Sequence, residues 1–148
     1  MPDLLTHALI ASPLKARFPR LFSVFLLGVI LPDVLSRTPG ILFPGSTSII
    51  FLNYFLHSPI IIVLSCLVLA YCFPQKIRKN FLYLLLAGSF LHLFLDLFQK
   101  TLTTGYLWFF PFSFSSFSIP LFWPDDSLFA LPFLIIINIM LIKRKHVS

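Results

Sequence analysis

The chain has 148 residues, 58% of them hydrophobic and 11% charged, with a mean hydropathy of +0.96 and a formal net charge of +6. A water-soluble domain is about 45–50% apolar and about 25% charged, so this composition excludes one and predicts a single all-α integral membrane domain over residues 1–148. The length suits a bundle of about four transmembrane helices at roughly 20 residues each. The positive charge does not indicate nucleic acid, because the basic residues sit at segment ends rather than along a binding stripe.

Residues 3–14 read as a short apolar helix with Asp3 as its N-cap, stopped by Pro13 and the stretch from Lys15 to Pro19. This half-helix is too short to span a membrane. It also lacks the positive n-region of a signal peptide, and no small-residue cleavage site follows the first long apolar run. The first span is expected at about 21–35, closed by Pro39-Gly40 and a loop from Pro39 to Ser48. The second is expected at about 49–73, ended by Pro74, and the third at about 81–98. From Thr101 to Pro124 runs a long aromatic connection, too apolar to lie free in water and therefore interfacial or packed over the mouth of the bundle. Pro124-Asp125-Asp126-Ser127 is a helix start, with the two acids as caps, and opens a fourth span at about 125–142.

Three basic clusters flank these spans: Lys15, Arg17 and Arg20; Lys76, Arg78 and Lys79; Lys143, Arg144 and Lys145. The other two connections hold only Arg37 and Lys100. The positive-inside rule then predicts a multi-pass protein of the cell (inner) membrane with both termini in the cytoplasm.

The chain has only five acids and no Glu, yet Asp33 and Asp96 fall inside apolar segments, as do His7, His57 and His92. An ionisable group at membrane depth is costly unless paired, solvated or metal-bound. His92 and Asp96 are four residues apart, which places both on one helix face. At 1.5 Å per residue, Asp33 lies roughly 18 Å from the inner end of its span and His57 roughly 12 Å in from the outer end of the next. His92 and Asp96 lie roughly 17 and 23 Å up the third span. If the N-terminal half-helix folds into the bundle, His7 reaches the same depth, roughly 12 Å above Lys15.

Three imidazoles and two carboxylates form a ligand set for a divalent metal, Zn²⁺ first among them. A catalytic site uses about three protein ligands plus water, and the metal lowers the pKa of that water to about 7. His7, His57 and His92 would be ligands, with Asp33 and Asp96 as ligand or general base, and Ser58 would support His57 from behind. Each residue also has a plainer reading. His57 alone can bond a neighbouring helix, His92 and Asp96 can satisfy each other, Asp33 can end a span in interfacial water, and His7 can pair with Asp3. His146 belongs to a solvated basic tail, Cys66 and Cys72 are small buried hydrophobes with no disulfide, and the run from Tyr106 to Phe117 is an interfacial belt. An ion or proton relay, or a structural subunit glued by polar groups, would use the same five residues without catalysis.

In order along the chain stand His7, Gly28-Val29-Ile30-Leu31-Pro32-Asp33, His57-Ser58, Gly88 through His92 to Asp96, then Gly105 and Pro111. This ordered set, over about residues 1–111, resembles the YdjM-like family of LexA-regulated, inner-membrane-bound metal-dependent hydrolases. The resemblance implies a membrane-bound metal-dependent hydrolase; its place in the membrane suggests membrane lipids as partners and a lipid-like, phosphoester or small-molecule substrate. Two positions depart from the family pattern. Leu35 stands where a second acid often follows the Pro-Asp aspartate, and Asn53-Tyr54-Phe55 stand where a His-Arg often precedes the His-Ser pair.

Overall fold

A computed structural model describes all residues except 1–2, 17–18, 20, 46, 101–105, 124–125 and 148. The chain is all-helical: α1 (Asp3–Ala11) runs into a 3-10 turn (Ser12–Ala16), followed by α2 (Phe22–Leu42), α3 (Thr47–Leu56), α4 (Pro59–Tyr71), α5 (Gln75–Asp96) and α6 (Ser127–Val147). Pro124, Asp125 and Gly105 lie outside the described residues, as do the side chains of Asp3 and His146.

The architecture turns on the crossing of α2 and α5, which touch at two glycines. A Cβ on Gly28 would collide with the Leu85 backbone, and one on Gly88 with the backbone of Phe25 and Val29. Small residues let two backbones approach this closely. Pro32 adds a second tie. It has no N–H to offer the Gly28 carbonyl one turn earlier, and the Ser89 hydroxyl of α5 donates to that carbonyl instead at 2.9 Å. Above this contact the two helices carry Asp33, His92 and Asp96.

The stretch 49–73, expected as one continuous span, is instead two helices broken at His57-Ser58. The cause is Pro59, which sits at the start of α4 and drives Ser58 into an extended conformation (φ −79°, ψ 146°). The first span also runs further than expected. Pro39-Gly40 lies inside α2, and the chain turns after Leu42, with Gly45 at φ 87°. Helix α5 begins at Gln75 and so includes Lys76, Arg78 and Lys79.

Helix α1 packs into the bundle against α2, α5 and α6. Ala11 is buried with Phe25 and Val29, while Thr6 and His7 are buried at the middle of the helix. Asn138 ties α6 to this edge: its amide donates to the Leu9 and Leu134 carbonyls at 3.2 and 2.8 Å, and its oxygen accepts from Ser12. A second apolar core, including Leu31, Ile62, Cys66, Leu85 and Leu93, joins α2, α4 and α5.

Among the described residues, ten buried side chains are polar or charged and ten are hydrophobic, while Phe112, Phe129, Ile41, Phe133 and many other large apolar residues are exposed. A soluble protein buries few charged side chains and exposes few contiguous large apolar ones, so this distribution is in keeping with the high hydropathy of the sequence. By length and composition, one described helix, α2, is long and apolar enough to cross a membrane unaided; α4 and Phe129–Met140 are shorter apolar helices. The expectation of four spans therefore narrows here to an all-helical fold with one clear spanning helix.

Candidate metal centre

Asp96 closes α5, and its carboxylate is the point on which three histidines converge. His57 Nε2 lies 2.7 Å from Oδ2, His92 Nε2 3.1 Å from the same oxygen, and His7 Nε2 3.3 Å from Oδ1. Asp33 approaches the same nitrogen of His92, with its Oδ1 3.9 Å from Nε2. The His7 and His92 rings stack at 4.2 Å, and the His57 ring centre lies 5.3 Å from that of His92. All five side chains are buried. Four local devices bring them there: the inserted α1 for His7, the α2–α5 glycine contact for Asp33 and His92, the Pro59 break for His57, and the end of α5 for Asp96. The five residues read from the sequence thus meet at one place.

The ligand atoms of His7, His92 and Asp96 lie within 4.8 Å of one another, and so do those of Asp33, His57 and His92. Tetrahedral ligands at 2.0–2.2 Å from a Zn²⁺ would be spaced by about 3.4 Å, within the range of the distances found. His92 supplies a further test of fit. Neither of its ring nitrogens makes a well-aligned hydrogen bond, although both are buried and Nε2 lies beside a carboxylate. A nitrogen aimed between acceptors rather than at one suits a shared cation.

Three residues of the centre escaped the sequence reading. Ser36 lies one turn after Asp33, and its hydroxyl is 3.3 Å from His57 Nδ1; it takes the supporting position expected of Ser58, whose own hydroxyl is buried without a hydrogen bond. Arg37 places Nη2 2.9 Å from Asp33 Oδ2. Tyr106 stacks on His57 at 4.9 Å, which brings its phenol under the influence of the Asp96 carboxylate. Burial, reinforced by the Asp96 and Asp33 carboxylates, pushes that phenol above its ordinary pKa, so it remains a donor. For Ser36 and Arg37 the signal was present, since they stand three and four residues after Asp33 on the same helix face. Tyr106 sits in a loop without periodicity. It belongs to the site rather than to a belt, held there by its bridge to Phe117, whose carbonyl also accepts from Trp108 Nε1 at 2.9 Å. The connection after α5 is packed over the mouth of the bundle at this point, with Phe110 and Phe114 against Phe55 of α3.

Cys66 and Cys72 are free thiols, the first buried beside Ser89 and the second exposed. Asp126 accepts from the Trp123 backbone N–H at 2.8 Å, a turn contact ahead of α6.

In comparisons with known proteins, the family model for the YdjM inner membrane protein matches residues 4–147. No curated protein and no solved structure matches the chain.

Proposed function

The chain belongs to the YdjM inner membrane protein family, and from that premise we propose that it is a membrane-bound metal-dependent hydrolase whose centre is the buried His/Asp cluster. The observation that carries this reading is the convergence of three imidazoles, from three separate segments, on the single Asp96 carboxylate at 2.7–3.3 Å. Asp96 and Asp33 bring two negative charges into a buried place, where uncompensated charge costs several kcal/mol. One divalent cation cancels both.

His92 would hold the ion with His7 and Asp96, or with Asp33 and His57, Zn²⁺ by the chemistry of the donor set. Bound there, the ion supplies Lewis acidity and brings the pKa of water toward neutrality. Asp33, further from the imidazoles and fixed by Arg37, completes the ligand set or takes the proton from water. Ser36 orients His57, and the Tyr106 phenol closes the site from the side of the mouth.

The same reading places the protein in the inner membrane as four crossings, with α3 and α4 passing as one broken span and both termini on the cytoplasmic side. The site then opens toward the outer half of the bilayer, where a lipid-like or phosphoester substrate is within reach. The test is turnover of a panel of phosphoesters and phospholipids by detergent-purified protein. Hydrolysis should stop with a chelator, return with Zn²⁺, and be missing in Asp96→Asn. Turnover unaffected by chelation would overturn the reading.

A further inference from the structure

The cluster leaves one charge over. Asp33 and Asp96 carry two negative charges, whereas one dication together with Arg37, the ion-pair partner of Asp33, would bring three positive ones. Arg37 is 30% exposed where Asp33 is 7%, so the side chain reaches from the buried centre to its mouth. A guanidinium carries five N–H donors. The ion pair with Asp33 uses Nη2, while the buried Nε–H has no hydrogen-bond partner, an arrangement that proteins avoid unless something else fills it. Lys100, the other cation of the outer connections, lies over the Trp123 ring at 5.2 Å and is engaged there. Arg37 is therefore the cation that serves this site.

We propose that Arg37 is the receptor for a phosphoryl group of the substrate, binding its oxygens through the guanidinium fork next to the metal centre. The inference rests on the hydrolase reading, since the excess charge exists only with a cation in place. Arginine suits the task because its planar donors match phosphate oxygens in pairs, whereas lysine offers a point charge.

The test is calorimetric titration of purified, Zn²⁺-loaded protein in an uncharged detergent, with inorganic phosphate and with dioctanoyl phosphatidic acid as probes. The metal content of every sample is measured alongside. Arg37→Gln should keep its metal and lose phosphate affinity by about tenfold or more. Arg37→Lys, which preserves the partner charge of Asp33 should the neutral variant fold poorly, should lose a smaller factor. Tighter binding of the lipid than of inorganic phosphate supports a headgroup as the source, and equal binding supports a soluble phosphoester. Unchanged phosphate affinity in a metal-loaded Arg37→Gln protein overturns the receptor and leaves the metal centre standing. Loss of metal in both variants makes Arg37 a strut for Asp33 and overturns it too. A wild type that binds no metal overturns the hydrolase reading itself, and is visible before any variant is made.

Discussion

Asp96 occupies the last residue of α5, the end at which a helix dipole is negative and an anion least welcome. Its surroundings answer that cost with three imidazoles at 2.7–3.3 Å. The pairing of His92 with Asp96 was legible from their four-residue spacing alone, because helix geometry fixes which side chains share a face. Tyr106 was not legible: a loop residue is placed by tertiary contacts that leave no periodic trace in sequence. Its role separates from that of the ligands. Tyr106→Phe removes only a hydroxyl from a ring that still stacks on His57, so the purified variant should keep its metal while hydrolysis falls by about tenfold. Loss of the metal in Tyr106→Phe would show that the phenol holds the ligands together rather than serving the reaction.

At the scale of elements, the composition announced helices but not how two of them end. Pro59 splits the expected span 49–73 because the residue before a proline is driven from the helical region, and that break puts His57 at a helix terminus facing Asp96. Pro32 and Pro39, by contrast, are absorbed within α2, the first because Ser89 satisfies the carbonyl it frees. The glycines of the two Gly-containing motifs explain themselves in the same contact: each lies roughly one to two turns before its acid or histidine and sets the distance at which those side chains meet. Gly88→Ala should therefore drive α5 away from the Phe25 and Val29 backbone. Thermal unfolding should show destabilisation of about 1–3 kcal/mol, with weakened metal binding although no ligand has been touched. A variant with wild-type Tm and metal affinity would mean that the crossing is not what positions the site.

At the scale of the molecule, buried polar and charged residues equal the buried hydrophobic ones among the described residues, and many large apolar side chains are exposed, in keeping with the high hydropathy of the sequence. The number of crossings was read less directly, because α3 and α4 are each short and α5 opens with Lys76, Arg78 and Lys79. The four-crossing topology makes a sided prediction. In a Cys72→Ser background, with Cys66 buried, a cysteine at Phe43 should react with an impermeant maleimide from outside the inner membrane. A cysteine at Lys76 should react only once the membrane is opened. Labelling of both from the same side would contradict four spans.

The claim on which the rest depends is that the cluster binds metal. Elemental analysis of detergent-purified wild type beside His92→Ala tests it most directly. About one Zn²⁺ or other transition metal per chain, lost in the variant, is the predicted result. No metal in either protein, even after reconstitution, would contradict it, and the buried imidazoles and carboxylates would then be a relay or the polar glue between helices.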